Sequence, residues 1–214
     1  MNHDIASMRQ HYANEELDIT SIRTNPFDEF HHWFDEAVRA EVREPNAMML
    51  ATVDSKGMPD GRIVLLKELD ERGFVFYTNY TSDKARQIEN NPNACLVFSW
   101  LELGRQIRIR GRLEFYDEKK STLYFQSRPR DSQIGAWSSP QSRPIEDRKL
   151  LEKMVAETEA LFEGQDVLPK PPHWGGYILI PTEIEFWQGR LSRLHDRIKF
   201  TNDQHGWHMT RLAP

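Results

Sequence analysis

Between Ala47 and Phe115 the sequence breaks into short runs of β-type composition joined by tight turns, and this spacing restricts the fold more than any other feature. AMMLATV (47–53) is followed by the turn DSKG, and GRIVLLKEL (61–69) by DERG. FVFYT (74–78) comes next. Turns this short join antiparallel neighbours, because a parallel pair needs a crossover of a dozen residues or more. ACLVFSW (94–100) reads as a buried strand. RQIRIRGRLEF (105–115) alternates, with Ile107, Ile109, Leu113 and Phe115 on one face and Arg108, Arg110, Arg112 and Glu114 on the other. That is the pattern of a half-buried antiparallel strand. GYILI, EIEFWQ, RLHDRIKF and WHMTRL supply further strands towards the C-terminus. The expectation is a mainly-β or α+β fold, an antiparallel barrel with surrounding helices rather than a doubly wound sheet.

Helical patterns are fewer. TNPFDEFHHWFDEAVRAEV (24–42) has Asn25 as N-cap, Pro26 at the first helical position and Asp28 in the first turn. Its apolar stripe is Phe27, Phe30, Trp33, Phe34, Ala37 and Val38. SDKARQIENN (82–91) reads as a helix capped by Ser82. Residues 117–127 and 144–163 read as two more, and PKPPHWGG (169–176) as a stiff connector. Residues 1–24 read as a mobile arm and 25–214 as a single domain.

Composition excludes several classes. No run approaches the ~18 apolar residues of a membrane span, and the N-terminal stretch has no apolar h-region, so no signal peptide is expected. The single cysteine, Cys95, lies in an apolar run and forms no intrachain disulfide. A cytoplasmic location fits this cysteine usage. A formal net charge of −5 makes a general nucleic-acid binder a poor reading. GxGxxG, Walker A, GxSxG, HExxH and CxxC are all absent, and no metal site is expected.

Three segments gather cationic and hydroxyl groups: Arg62 and Lys67 around four aliphatics; Tyr124, Arg128, Arg130 and Ser132 in YFQSRPRDSQIGAW; and Arg193, His195 and Arg197 in RLSRLHDR. Like charges placed together call for an anion. Arginine suits bidentate phosphate contact and lysine acts as a point charge. A small phosphorylated ligand is one reading. Charged strand ends, a polar loop and a surface strand are the alternatives, segment by segment. If RLHDR is a strand, Arg193, His195 and Arg197 share a face. Strand parity puts Arg62 and Lys67 on opposite faces, so a shared target needs a bulge or a strand end.

RIVLLK, FYTN, KARQIENNP, RQ, YFxSRPRDSQIGAW, QS, WGG, IEFWQG, RLHDR and RLAP occur in this order between Arg62 and Pro214, and the likeness they carry extends back to about Arg9. Together they closely resemble the pyridoxine/pyridoxamine 5'-phosphate oxidase family. The resemblance implies a homodimeric split β-barrel with FMN at the subunit interface. It also implies oxidation of pyridoxamine or pyridoxine 5'-phosphate to pyridoxal 5'-phosphate by oxygen, with release of hydrogen peroxide. It assigns Arg62, Ile63, Val64, Leu65, Leu66, Lys67, Tyr77, Thr78, Lys84, Gln106, Gln141, Ser142, Trp187 and Arg197 to FMN. The substrate phosphate falls to Lys67, Tyr124, Arg128 and Ser132, and the substrate ring to Arg193 and His195, the catalytic pair. Arg9 and Tyr12 match an arm that covers the substrate. Another split-barrel flavoprotein, such as a flavin reductase, and a non-catalytic binder of FMN or pyridoxal phosphate are the rival readings.

Gln126 stands where a His is common, and a second departure bears on the cofactor. The family usually has Ser-Arg-Lys where this chain has Ser82-Asp83-Lys84. Losing a charge-assisted hydrogen bond of ~1.5–3 kcal/mol implies FMN binding weakened by roughly 10–100-fold, unless Arg86, one helical turn on, compensates.

Overall fold

The computed structural model describes residues 16–214. The elements run α1 (Pro26–Arg39), β1 (Ala47–Val53), β2 (Pro59–Leu65), β3 (Glu68–Asp70), β4 (Gly73–Asn79), α2 (Asp83–Asn90), β5 (Asn93–Trp100) and β6 (Arg105–Phe115). Then come α3 (Glu118–Ser127), α4 (Arg130–Ser138), α5 (Arg148–Leu161), β7 (Trp174–Gln188), β8 (Asp196–Asp203) and β9 (Gly206–Leu212). Hydrogen bonds link the strands in the order β2-β1-β5-β6-β7-β4-β3, with β8 on β7 and β9 on β8. The β3–β4, β4–β7, β7–β8 and β8–β9 pairings are antiparallel. No helix among the described residues is long and apolar enough to cross a membrane.

The chain divides into two compact units. One comprises the residues up to Met49 with Cys95–Arg110 and Pro181–Pro214. Its helix α1 forms as its sequence dictates: the Asn25 side chain accepts from the Phe27 N–H at 2.9 Å, and Pro26 opens the first turn. Phe30 meets Phe98 edge-on at 5.1 Å and Trp33 meets Phe186 at 5.2 Å. Burying a ring of this size contributes roughly 1.5–3 kcal/mol. Val38, placed on the apolar stripe by periodicity, is instead exposed. Arg108 and Arg110 of β6 face Glu185 and Glu183 of β7, at 3.5 and 3.1 Å.

The other unit comprises Leu50–Ala94 and Gly111–Ile180. Its core joins Phe125, Ile134, Phe162, Leu168 and Trp174, with Tyr77 and Tyr124 against them. The β4–β7 register sets Tyr77 opposite Gly176 and Asn79 opposite Trp174. Both glycines of WGG are required by crowding. A Cβ on Gly176 would lie 2.9 Å from atoms of both Tyr116 and Tyr77, and one on Gly175 would run into the Tyr80 ring.

Several segments depart from the sequence reading. GRIVLLKEL is two strands, because β2 ends at Leu65 and β3 starts at Glu68. GYILI and EIEFWQ are one 15-residue strand, β7. SRPRDSQ, for which a polar loop is one of the alternatives, leads into a helix, since Arg130–Ser138 form α4 after Pro129. The RLHDR strand begins only at Asp196; Leu191–Arg193 form a 3₁₀ turn, so Arg193 and His195 are not aligned by strand parity. Phe115, on the core face of β6 by alternation, is 70% exposed. It sits at the strand end and stacks on Tyr177 at 5.1 Å.

Candidate active site

A cavity of about 860 Å³ opens in the unit that holds β4 and α2–α5. Its walls come from the end of β2 (Arg62, Ile63, Val64, Leu65), the adjoining Lys67, and β4 with α2 (Tyr77, Thr78, Lys84). The α3–α4 region adds Tyr124, Arg128 and Ser132, and Gln141 and Trp174 complete the set used below. The strand end at Leu65 resolves the parity conflict: Lys67 lies beyond β2, so it and Arg62 reach one cavity.

One wall is aromatic. Tyr77 stacks on Trp174 with ring centroids 5.3 Å apart and planes 5° from parallel, and on Tyr124 at 4.2 Å and 18°. Tyr77 is pushed above the ordinary tyrosine range, first by burial and then by Glu68, so its hydroxyl stays protonated. Arg128 lies over the Trp174 ring at 4.9 Å and the Phe125 ring at 5.8 Å. Such contacts favour a cation on an aromatic face. Burial lowers Arg128 from the ordinary arginine value. Its Nη1 is buried with no hydrogen-bond partner. A native arginine seldom leaves a buried N–H unanswered, and an anionic ligand would answer it.

A second group of lining residues is held by hydrogen bonds. Arg62 donates to the Leu50 carbonyl (3.2 Å), Thr52 Oγ1 (2.5 Å), Asp60 Oδ2 (2.5 Å) and Gln87 Oε1 (3.0 Å), which fixes its guanidinium. Lys84 Nζ donates to Gln141 Oε1 at 3.0 Å, and Thr78 Oγ1 donates to the same oxygen at 3.2 Å. Burial lowers the Lys84 ammonium below the usual lysine value, with the Arg62 charge adding to it. Arg62 is ion-paired with Asp60, and Lys84 beside it is a partly desolvated cation able to accept an anion.

Asp83 and Arg86 lie off this cavity. Asp83 pairs with Arg86, and Arg86 also donates to the Thr81 carbonyl at 2.7 Å. Arg86 is thus engaged with Asp83 and does not line the cavity. Ser82 occupies the N-cap position of α2 without capping, because its hydroxyl donates to the Asn79 carbonyl at 2.8 Å.

Of the residues expected at FMN or substrate, Arg62, Ile63, Val64, Leu65, Lys67, Tyr77, Thr78, Lys84, Tyr124, Arg128, Ser132 and Gln141 line the cavity. Leu66 does not line it and is buried. Ser142, at positive φ, also lies off the wall. Gln106, Trp187, Arg193, His195 and Arg197 belong to the other unit and do not line it either. Arg9 and Tyr12 lie outside the described residues. Trp174, Asn79, Pro129, Gly135, Ala136 and Ser139 were not foreseen as lining residues. The signal for Trp174 was the pair of glycines after it, which let β4 and its tyrosine come close.

In the unit that holds β8, Trp187 and Arg197 are register partners and the Trp187 and His195 rings lie 4.6 Å apart. Arg197 Nε donates to the buried Glu185 at 2.8 Å and its Nη1 to the Ala213 carbonyl at 3.0 Å. The Arg190 N–H donates to His195 Nδ1 at 3.0 Å. In the neutral ring the proton then sits on Nε2.

Comparison with known proteins agrees with this arrangement. The family model described as pyridoxamine 5'-phosphate oxidase matches residues 34–162, and that of the pyridoxine 5'-phosphate oxidase C-terminal dimerisation region matches 174–214. A pyridoxine/pyridoxamine 5'-phosphate oxidase of Burkholderia mallei is 54% identical over 213 residues, covering 98% of this chain and 99% of the relative. Pyridoxine/pyridoxamine 5'-phosphate oxidase 1 of Ralstonia nicotianae is 53% identical over 211 residues, covering 98% and 99%. Among solved structures, PhzG from Burkholderia lata 383, in complex with tetrahydrophenazine-1-carboxylic acid, superposes with a TM-score of 0.87 at 32% identity. It covers 94% of this chain and 100% of its own. A pyridoxamine 5'-phosphate oxidase-related, FMN-binding protein of Nostoc punctiforme superposes at 0.70 with 18% identity, over 89% of this chain and 98% of its own, a likeness of fold. The fold is thus the antiparallel split β-barrel with surrounding helices. The chain belongs to the pyridoxamine 5'-phosphate oxidase family of oxidoreductases.

Proposed function

We propose that the chain oxidises pyridoxamine 5'-phosphate and pyridoxine 5'-phosphate to pyridoxal 5'-phosphate, using FMN and oxygen. The observation that carries this reading is the buried, unpartnered Nη1 of Arg128 in a cavity walled by stacked aromatic rings. FMN, when bound, would supply a two-electron acceptor for oxidation at the substrate C4' carbon, with oxygen as the final acceptor and hydrogen peroxide as its product. With the amine substrate, water replaces the nitrogen and ammonia leaves. The chemistry is the cofactor's; the chain binds and orients.

Arg62, Lys84, Thr78 and Gln141 would hold FMN at the cationic end, with the β2 segment Ile63–Leu65 alongside. Lys67, Tyr124, Arg128 and Ser132 would grip the substrate phosphate, turning affinity into orientation of the ring. Arg193 would lie over the substrate ring. His195, with Nδ1 already accepting from Arg190, would donate from Nε2 and not serve as the base through that atom. Arg197 would offset negative charge on the reduced cofactor.

The protein acts as a homodimer in this reading, with FMN at the interface. The matched dimerisation region includes Trp187, Arg193, His195 and Arg197, which line no part of the cavity. A second copy would present them to it. Residues 1–24 would serve as an arm over the substrate through Arg9 and Tyr12, and 25–214 as one functional domain.

The test is direct. The purified protein is examined for flavin absorbance and given pyridoxamine 5'-phosphate under air. Pyridoxal 5'-phosphate and peroxide in equal amounts support the reading. Flavin without turnover indicates a reductase-like relative or a binder, and no flavin affinity overturns it.

A further inference from the structure

The turn between β7 and β8 carries Arg193 and His195, and its backbone is strained. Ser192 (φ 56) and Arg193 (φ 61) are the only consecutive non-glycine residues at positive φ among the described residues. L side chains adopt this conformation at a cost, and such strain persists only where the surroundings over-determine it. Within the turn, two backbone donors contribute: Leu194 N–H to the Leu191 carbonyl at 3.1 Å, and Arg190 N–H to His195 Nδ1 at 3.0 Å. Neither reaches outside the loop. Outside it, the Gly189 N–H donates to the Gly104 carbonyl at 2.8 Å, and a second hold comes from Asp196.

The Asp196 side chain is 19% exposed and has cationic or N–H partners on both oxygens. Oδ1 accepts from Arg211 Nη1 at 2.9 Å. Oδ2 accepts from the Leu17 N–H at 3.2 Å and faces Arg190 Nε at 3.5 Å. The two arginines extend the cluster to the same stretch of chain. Arg211 Nη2 donates to the Leu17 carbonyl (3.1 Å) and Asp18 Oδ2 (2.8 Å), and Arg190 Nη2 donates to Glu16 Oε1 (3.0 Å). One carboxylate thus ties the first residue of β8 to the start of the strained turn, the last strand and Leu17, and its two arginine partners reach Glu16 and Asp18. Those three residues follow directly on the stretch that holds Arg9 and Tyr12.

We propose that Asp196 is a positioning residue: it holds the 190–195 turn in its strained form, so aiming Arg193 and His195, and clamps the 16–18 segment to that turn. The proposal rests on the reading that Arg193 and His195 act on substrate. It does not make Asp196 a catalytic group, since its oxygens are engaged by the protein itself.

The test compares Asp196→Asn, which keeps the shape and removes the charge, with Asp196→Ala. Asp203→Asn serves as a control; that carboxylate sits at the β8–β9 turn and accepts from the His205 N–H at 2.7 Å. Three quantities are read on the full-length protein: FMN affinity by flavin fluorescence, kcat and KM for pyridoxamine 5'-phosphate, and tryptic cleavage after Arg9 and Arg23. The expected result for both Asp196 variants is unchanged FMN affinity, cleavage faster by about 5-fold or more, and kcat lower by about 10–100-fold, the scale of a small misplacement of reacting groups. In an Arg193→Ala background the Asp196→Asn change should add less than about 3-fold, because a positioning residue acts through the group it positions. Unchanged kcat overturns the proposal whatever the cleavage, and so does a full additive loss in the Arg193→Ala background. If Asp196→Ala does not fold, Asp196→Asn carries the comparison. If the unaltered protein binds FMN but does not oxidise the substrate, the functional reading has failed, and cleavage alone then decides the clamp: faster cleavage upholds it and unchanged cleavage overturns it.

Discussion

Replacing Arg128 by methionine should separate ligand affinity from stability. The substitution keeps an unbranched apolar stem and removes the guanidinium. Two stability effects oppose each other. The contacts over Trp174 at 4.9 Å and Phe125 at 5.8 Å are lost, and a cation on a ring contributes about 0.5–2 kcal/mol. The buried Nη1 without a partner disappears as well, and an unsatisfied buried polar group costs about 1–3 kcal/mol. Methionine also packs well against rings. The net change should lie within about 1 kcal/mol of zero, or roughly 2–4 °C in Tm for a chain of this length. Binding has no such compensation. A hydrogen bond to a charged group contributes about 1.5–3 kcal/mol, so KM for pyridoxamine 5'-phosphate should rise about 10–150-fold. Differential scanning fluorimetry of the apoprotein and steady-state peroxide production measure the two. A fall in Tm beyond about 8 °C would show that Arg128 is structural. An unchanged KM would remove it from the phosphate site.

Three further outcomes are expected. Lys84, lowered below its ordinary 10.5 by burial, binds its proton less tightly folded than unfolded. Apoprotein stability should therefore rise with pH from the lowered value up to about 10.5, while FMN affinity falls across the same window; Lys84→Met should abolish both trends in parallel titrations. Gly176→Ala places a methyl group 2.9 Å from Tyr77 and Tyr116, so it should destabilise by about 1–3 kcal/mol in urea unfolding and weaken FMN binding. Asp83→Ala should change FMN affinity less than about 3-fold, because exposed ion pairs such as Asp83–Arg86 contribute about 0–1 kcal/mol; a gain of 10-fold or more would show that its charge reaches the cofactor.

Much of the scaffold was readable from pattern. The α1 cap at Asn25 and the strands at 47–53 and 105–115 follow from local chemistry that tertiary contacts did not override, and the helix after Ser82 forms although Ser82 does not cap it. The cavity wall was partly readable, since Arg62, Lys67, Tyr124, Arg128 and Ser132 all reach it. What could not be read has common physical causes. Helix α4 has nine residues and no clean apolar stripe, so its sequence looks like a polar loop. The break after Leu65 interrupts an apolar run with no glycine or proline to mark it. The strain at Ser192 and Arg193 is invisible in a sequence, because neither is a residue type that favours positive φ. Alternation placed Arg193, His195 and Arg197 on one strand face, but only Arg197 of the three is in β8. Asp196, the first residue of β8, has partners on both carboxylate oxygens, which no local pattern in RLHDR announces.

The parallel rings of Tyr124, Tyr77 and Trp174 have an optical consequence. Aromatic transitions held this close in nearly parallel planes couple, and a coupled set in a fixed chiral setting gives a strong near-ultraviolet circular dichroism band. The stack spans α3, β4 and β7 and lines the cavity. The band should therefore report occupancy of the cavity without a label, and its loss in a variant would show that the wall has lost its order before any unfolding is seen.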